Sequence, residues 1–231
     1  MSSNPIGFNQ VALLMKKFEK VDWDAARITQ LGQANAKKFR AIEAILDGAA
    51  LDAALQAAAR AIGDTTHLRY LSSTILAPTQ GNITLAQSAD FYIGHLDSDF
   101  TNWGTDVAGV DTEETLADLY EMKKNGSYAQ LFGSLVGAQG SYDEIAAACR
   151  PLCWQQGQIV EFSHTHSALL QQDGWATFFL FEVEIDGKPV PFVARVLVVG
   201  GKLKAFVFRF SDDYVWLADH RRRVVVPQQT V

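Results

Sequence analysis

The sequence predicts an α+β fold, in which an N-terminal helical segment at residues 1–63 precedes an α+β body at residues 64–231. In that body, helices pack on an antiparallel β-meander within a sheet at residues 174–226. Hydrophobic residues make up 48% of the 231 residues and charged residues 20%, which is typical of a globular chain with a large core. Apolar residues follow a helical period in the first third and alternate between glycine turns in the last quarter.

The N-terminal segment is predicted to contain two or three amphipathic helices. Asp22 is a favourable N-cap, and Gly48 interrupts the periodic pattern that follows it. The alanine-rich residues 49–63 predict a further helix that ends at Gly63. Helices of this kind usually pair as a hairpin or form a dimer surface, so we expect a homo-oligomer or a protein partner to use this segment. The apolar positions of the first helix are Ile28, Leu31, Ala34, Ile42, Ile45 and Leu46.

The middle of the chain changes character. The β-branched residues of 65–76 and the turn residues that follow predict short strands and long loops over residues 64–110. The segment DTEETLADLYEMKK, residues 111–124, has an acidic start and a basic end, which predict a helix. Ser141, with Glu144 three residues later, has the spacing of a capping box and predicts the start of another helix.

The segment at residues 155–171 fits two structures with different chemical consequences. In a strand, His164 and His166 would share a face and could bind a metal together, whereas in a helix they would lie about 200° apart. The apolar positions from Ile159 to Leu170 follow helical spacing, and Gly174 ends the run. The pattern therefore favours the helix and argues against a metal site here.

The last quarter predicts a three-stranded antiparallel meander. Asp186-Gly187 and Gly200-Gly201 stand between the strand-like runs, and both pairs accept the positive φ angles of tight hairpin turns. Both faces of such a sheet are largely apolar, so either helices cover both sides or the sheet curls around an interior pocket. One face would carry Phe179, Phe181, Val183, Ile185, Phe192, Ala194, Val196, Leu203, Ala205 and Val207. The other would carry Phe178, Leu180, Val193, Leu197, Phe206, Phe208 and Phe210, interspersed with Glu182, Glu184, Arg195 and Lys204.

The C-terminal tail predicts a helical turn and a last strand, residues 224–226, that Pro227 ends. The preceding run Arg221-Arg222-Arg223 has two interpretations. It could contact nucleic acid, but the neighbouring Asp212, Asp213 and Asp219 favour a charged edge strand with ion pairs.

Charge and cysteine content narrow the classes of function. A net charge of -6 disfavours nucleic acid and anionic lipid surfaces as partners. Cys149 and Cys153 match neither a disulfide framework nor a C-x-x-C pair, so we expect two small apolar side chains. The first 20 residues lack the pattern of a signal peptide, and no run of about 18 apolar residues occurs. We therefore expect a cytoplasmic protein.

The segment DFYIGHLDSDFTNWGTD, residues 90–106, holds the candidate site residues His95, Asp97, Asp99 and Trp103. Carboxylates beside an imidazole could bind a metal or transfer protons. Aspartate is equally a turn residue, and Trp103 could attach such a turn to a core, so a structural or a binding loop is the alternative. The EF-hand, G-x-S-x-G, P-loop and Rossmann patterns do not occur. We expect a candidate binding loop without metal or cofactor, in which alanine at Asp97 or Asp99 leaves folding intact.

Two resemblances add expectations. The phrases FYIGHLDSDFTNWG, LYEMKKNGSYAQLFGSL, GWATFFLFEV and HRRRVVVPQ, spread over residues 64–231, resemble a group of uncharacterised bacterial hypothetical proteins, which implies no activity. Residues 174–212 are similar to the final hairpins of NTF2-like proteins. That family implies a cone-shaped pocket used for binding or for isomerase and dehydratase chemistry. It has no fixed catalytic motif, so the resemblance assigns no residue.

The expected function is that of a bacterial accessory protein acting by protein–protein or small-ligand binding. The alternative is a pocket enzyme of NTF2-like type with acid–base chemistry, in which a carboxylate or a histidine is the general base. Whether the protein is an enzyme stays open, although the absence of catalytic motifs favours a non-enzymatic role.

Overall fold

The computed structural model describes residues 64–172 and 174–228. The helical segment predicted for residues 1–63 lies outside these residues. The described chain combines a seven-stranded mixed sheet with four α-helices, which confirms the α+β class. None of the described helices is both long and apolar enough to cross a membrane.

The elements are labelled in chain order. The strands are β1 (Leu68–Leu76), β2 (His95–Leu96), β3 (Thr115–Met122), β4 (Ala176–Ile185), β5 (Lys188–Val199), β6 (Lys202–Arg209) and β7 (Arg223–Pro227). The α-helices are α1 (Asp99–Asn102), α2 (Tyr128–Val136), α3 (Tyr142–Cys149) and α4 (Gln156–Thr165). Three short 3-10 turns occupy Arg150–Leu152, Ser167–Leu169 and Ala218–His220.

The sheet has the strand order β1-β3-β7-β4-β5-β6-β2. Neighbouring strands are antiparallel except for two pairs, β4 with β7 and β2 with β6. The predicted antiparallel sheet at residues 174–226 is therefore part of a larger, mixed sheet that begins at Leu68. The C-terminal strand β7 joins the meander to the β1–β3 pair, because it lies between β3 and β4.

The predicted meander is confirmed in order and in register. Ile185 pairs with Lys188 across the first turn, and Val199 pairs with Lys202 across the second. Asp186 and Gly187 have φ values of 52° and 72°, the positive values that the first turn requires. Because each turn contains two residues, the side chains alternate between faces as the sequence predicted.

Separate layers cover the two faces of the sheet, as one of the two predicted arrangements requires. The α4 face is packed by α4 and by the long connection between β1 and β3, which contributes Leu85, Tyr92 and Phe100. The α2 face is packed by α2, α3 and the segment that contains Trp216. Phe179 and Phe181 are fully buried on the α4 face, and Phe178 and Leu180 on the α2 face.

Helices α3 and α4 confirm two predictions. Ser141 caps α3, and Glu144 completes the capping box by accepting from the Ser141 amide at 2.8 Å. Residues 156–165 form α4 and bury Ile159 and Phe162 against the sheet, so the helix prediction for residues 155–171 is confirmed. His166 lies just after the helix and His164 is exposed beside Phe91, so the two imidazoles do not form a shared site.

The predicted helix at residues 111–124 is wrong, because Thr115–Met122 forms β3. This segment pairs with β1 on one side and with β7 on the other. The two ladders of backbone hydrogen bonds and the buried side chains of β3 outweigh the weaker local preference of its acidic start for a helix.

The prediction of a charged edge strand for the arginine run is also wrong. Strand β7 is an interior strand of the sheet, and Arg222 is only 5% exposed. Arg223 donates to the carbonyls of Leu169 and Leu170 at 2.5 and 3.0 Å on the opposite face. Among the described residues, no ion pair joins this run to Asp212, Asp213 or Asp219; the three ion pairs are Arg69–Glu121, Lys123–Asp64 and Arg150–Glu182.

Candidate functional site

The four candidate residues of the predicted binding loop do not converge. His95 pairs in register with Lys204 and lies on the α2 face, where its ring is 4.9 Å from the ring of Phe206. Trp103 lies on the α4 face, 6.3 Å from the ring of Phe192. The sheet separates the two side chains, so the loop does not present them to one ligand.

Asp97 and Asp99 have structural contacts. One carboxylate oxygen of Asp97 accepts from the Asp99 amide at 3.1 Å, and the other accepts from the Val207 amide at 3.5 Å. Asp99 accepts from the Asn102 side chain at 3.1 Å. In residues 64–172 and 174–228, no group of three or more His, Cys, Asp or Glu side chains is arranged to hold a metal ion. The loop therefore carries turn-forming contacts rather than an assembled chemical site.

The cysteines are free and poorly suited to act as nucleophiles. Cys149 is buried and Cys153 is half-buried. Burial raises the pKa of the Cys149 thiol to about 12, and burial followed by the charge of Glu182 raises the pKa of Cys153 well above its usual range. Neither thiolate forms readily at neutral pH, which agrees with their predicted role as small apolar side chains.

A different group of side chains converges on the α2 face. We call it the Arg-Trp cluster and define it as Tyr128, Trp175, Arg195, Trp216 and Arg222. The guanidinium carbon of Arg195 is 5.3 Å from the centre of the Trp216 ring, and that of Arg222 is 4.8 Å from it. Arg222 also lies 5.4 Å from the Trp175 ring. The cluster thus places two cations around one indole.

The sheet register positions Arg195. In the ladders on either side of β5, Arg195 lies opposite Phe178 of β4 and Phe206 of β6. Its guanidinium carbon is 5.7 Å from the ring of Phe206 and 5.9 Å from that of Phe208. The ring of Phe206 in turn contacts His95, so one residue of the predicted loop borders the cluster.

Short backbone links hold the other members in place. Trp216 exchanges two backbone hydrogen bonds with Gly126, just before α2, at 3.0 and 3.2 Å. The Tyr128 ring packs 5.5 Å from the Trp216 ring. Arg222, the residue immediately before β7, donates from Nη1 to the backbone carbonyl of Leu217 at 2.9 Å. Four distant parts of the chain therefore assemble the cluster.

The rim of the cluster, formed by Trp175, Tyr214, Leu217 and His220, is largely aromatic and partly open to solvent. Trp175 stacks on the imidazole of His220 with centroids 3.7 Å apart and planes within 10°, and it is 38% exposed. The ring centroids of Tyr214 and Trp216 are 4.6 Å apart, and Tyr214 is 59% exposed. Leu217, whose backbone carbonyl accepts from Arg222, is 45% exposed. A ligand approaching this edge would meet flat apolar surface beside positive charge.

Polar atoms without partners concentrate at this site. Across the described part of the chain, six buried side-chain nitrogen or oxygen atoms lack a hydrogen bond, and five of them belong to the cluster or its rim. Burial raises the pKa of Tyr128, and the nearby Trp216 N–H opposes this rise slightly. The Trp216 N–H and the Tyr128 hydroxyl nevertheless lack the geometry of a hydrogen bond. The five atoms are Tyr128 Oη, Arg195 Nε, Trp216 Nε1, His220 Nδ1 and Arg222 Nε.

The two guanidinium groups also lack a balancing carboxylate. Neither Arg195 nor Arg222 forms an ion pair with a described residue. Burial lowers the pKa of Arg195, and burial followed by the charge of Arg195 lowers the pKa of Arg222. The charge of Asp212 acts on Tyr128 but reaches neither arginine as an ion pair. Both guanidinium groups stay charged at neutral pH, and they repel each other.

The aromatic contacts offset only part of the cost of this arrangement. A cation over an aromatic ring gains about 0.5–2 kcal/mol. Removing an ion from water costs several kcal/mol after relaxation, and the cost rises where a like charge stands nearby. An oxyanion would supply the missing acceptors and the missing charge together, because guanidinium groups bind carboxylates and phosphates in a fixed fork geometry.

The sequence contained one signal for this site that its interpretation missed. The sequence predicts a charged edge strand with ion pairs for the run Arg221-Arg222-Arg223, and it places Arg195 among several charges on an apolar face. In the predicted register Arg195 lies opposite Phe178 and Phe206, several positions away from Glu182 and Glu184 of the same face, which indicates a cation without a neighbouring carboxylate. The contribution of Trp175 and Trp216 depends on long-range packing, which the local sequence does not encode.

No protein family, curated protein or solved structure matches this chain.

Proposed function

We propose that this protein is a bacterial accessory protein that binds a small oxyanionic ligand at the Arg-Trp cluster. The observation that carries the proposal is a pair of arginines on one apolar face, Arg222 buried and Arg195 half-buried. Each has an unpartnered Nε, and neither forms an ion pair with a described carboxylate. Buried polar groups in folded proteins are almost always hydrogen-bonded, so a concentration of exceptions calls for a bound partner.

The negative net charge of the protein makes a local cluster of two arginines more informative about ligand binding. A chain with a net charge of -6 repels anions in general, so an anion must be held by a local field. Arg195 and Arg222 provide that field over a short distance, and salt screens it less than it screens an exposed pair. The same reasoning favours a small ligand over nucleic acid, since the site offers two arginines rather than an extended basic surface.

The NTF2-like pocket alternative receives less support from the packing. Such a pocket would lie on a concave sheet face, whereas α4 with its preceding connection packs one face and α2 with α3 packs the other. His95, a candidate general base, is exposed at the edge strand β2 rather than enclosed.

Calorimetric titration with inorganic phosphate at low ionic strength tests the proposal. We expect saturable binding by the full chain, with affinity reduced roughly 10- to 100-fold in Arg195→Met and in Arg222→Met, because each removes charge-assisted hydrogen bonds of about 1.5–3 kcal/mol. Arg209→Met is the matched control. Arg209 also lies over two rings, at 5.2 Å from Trp103 and 6.0 Å from Phe192, but it is exposed on the opposite face.

Two results would contradict the proposal. One is the absence of saturable phosphate binding by the wild-type protein. The other is an equal loss of affinity in Arg209→Met, which would indicate a general effect of lowering the positive charge of the protein rather than a site at the cluster.

A further inference from the structure

The rim of the Arg-Trp cluster carries information about the ligand beyond its charge. Trp175, Tyr214 and Leu217 are all at least 38% exposed, and each is linked to Trp216 or to Arg222 by a direct contact. Exposed apolar side chains scattered singly need no explanation, but three of them beside a cation site place apolar surface next to positive charge.

From this surface we infer that the ligand is a phosphate monoester or an equivalent dianion carrying an aromatic or flat apolar group. The inference rests on the proposed oxyanion site at Arg195 and Arg222. The dianionic head lies against the two guanidinium groups, and the apolar group lies against Tyr214 and its neighbours.

The charge of the head group follows from the two arginines. Their guanidinium carbons lie 5.3 and 4.8 Å from the centre of the same Trp216 ring. A monoanion would neutralise one of them and leave the other uncompensated. A phosphate monoester carries a charge of about -1.5 to -2 at pH 7 and presents three acceptor oxygens, so it matches both cations.

The nature of the second group follows from the rim. The Trp175 ring is already stacked on His220 with planes within 10° of each other, which fixes its orientation. Tyr214 meets Trp216 edge to face at an interplanar angle of 61° and leaves more than half of its surface exposed. Rigid aromatic side chains bind flat apolar groups at a small cost in conformational entropy.

Four probes test the inference on the full chain: phenyl phosphate, glycerol 2-phosphate, inorganic phosphate and benzoate. We expect phenyl phosphate to bind roughly tenfold more tightly than glycerol 2-phosphate, which has the same head group and a polar substituent. We expect benzoate to bind more weakly than phenyl phosphate, because it carries a single negative charge.

Variants of the rim separate the two parts of the ligand. Tyr214→Ala and Leu217→Ala should remove most of the preference for phenyl phosphate while leaving the affinity for inorganic phosphate within about twofold of wild type. Both side chains are exposed, so folding should be intact. Val110→Ala is the control, because Val110 is also an exposed apolar residue, at 65%, and it lies beside the start of α4; this variant should change neither affinity.

The outcomes distinguish this inference from the proposed function. If inorganic phosphate binds through Arg195 and Arg222 but phenyl phosphate binds no more tightly than glycerol 2-phosphate, the inference fails and the oxyanion site stands. If benzoate equals phenyl phosphate, the dianionic head is wrong. If none of the three phosphates binds, or if phenyl phosphate binding survives Arg195→Met and Arg222→Met, both proposals fail.

Discussion

At the scale of single residues, the guanidinium of Arg195 shows how an unpaired cation can lower the stability of the folded protein. It lies over three aromatic rings, but its buried Nε has no hydrogen-bond partner and it forms no ion pair with a described residue. Replacing a buried cation by an apolar side chain of similar length often stabilises a protein, because the desolvation penalty disappears. If Arg195 is present for ligand binding rather than for folding, its replacement by an apolar side chain should therefore stabilise the protein.

We expect Arg195→Met to raise the free energy of unfolding by about 1 kcal/mol in a buffer free of phosphate and sulfate. Urea denaturation monitored by circular dichroism measures the change. Arg209→Met, which removes an exposed guanidinium from two rings, should be neutral or slightly destabilising. A clear loss of stability in Arg195→Met would instead assign the side chain a structural role through its aromatic contacts.

The two aspartates of the predicted binding loop should differ in their effects. Asp97 accepts from two backbone amides, one of them in β6, whereas Asp99 accepts from the exposed side chain of Asn102. We expect Asp97→Ala to lower the free energy of unfolding by about 1–2 kcal/mol and Asp99→Ala by less than about 0.5 kcal/mol. This prediction revises the expectation from the sequence that both substitutions leave folding intact.

Chemical denaturation of the two variants side by side tests this difference. Equal effects would indicate that the longer contact of Asp97 with the Val207 amide, at 3.5 Å, contributes little to stability. A larger effect of Asp99→Ala would contradict the assignment of Asp97 as the residue that attaches the loop to β6.

At the scale of elements, the β5–β6 turn isolates a backbone effect. Gly200 and Gly201 have φ values of 58° and 73°, and a Cβ atom at either position would meet no atom within 4 Å. We expect Gly201→Val to lower the free energy of unfolding by at least about 1 kcal/mol, because a β-branched residue is strained at positive φ. Gly200→Asn is the matched control, since Asn-Gly is a preferred sequence for this turn. Equal midpoints of urea denaturation for the two variants would contradict this account.

The elements that the sequence predicted well are those specified by local chemistry. The meander follows from alternating apolar residues and from two turns that need positive φ. Helix α3 follows from the capping box of Ser141 and Glu144. Helix α2 was missed although Ser127 and Gln130 form the same box and Gly137 ends the helix with a φ of 67°, so its signal was present in the sequence.

The elements predicted wrongly depend on distant partners. Strand β3 has a local pattern that suits a helix, and only its pairing with β1 and β7 makes it a strand. The local charges around β7 predict an edge strand, whereas the strands that flank it, β3 and β4, come from distant parts of the chain. The Arg-Trp cluster has the same origin, since Tyr128, Arg195 and Trp216 come from parts of the chain joined only by the fold. Its arginines were visible in the sequence, but their missing partners were not.

At the scale of the whole molecule, several ionisable groups are buried in their neutral forms, which links stability to pH. Burial raises the pKa values of the thiols of Cys149 and Cys153 and of the phenols of Tyr92, Tyr120 and Tyr128. In the unfolded chain these groups titrate near their ordinary values, at about 8.5 for a thiol and about 10 for a phenol. Above those values the unfolded state binds fewer protons than the native state, so stability must fall as pH rises.

The thiols and the phenols should act in different pH ranges. From about pH 8.5 to 10, each thiol lowers the free energy of unfolding by up to about 1.4 kcal/mol per pH unit, and the phenols add to the slope above about pH 10. Chemical denaturation at intervals from pH 7 to 10 measures the first range. In the double variant Cys149→Ala with Cys153→Ala, most of the decline below pH 10 should disappear, even though its stability at pH 7 is lower because two core side chains are smaller. An unchanged slope in that variant would show that the thiols are not held neutral in the native core.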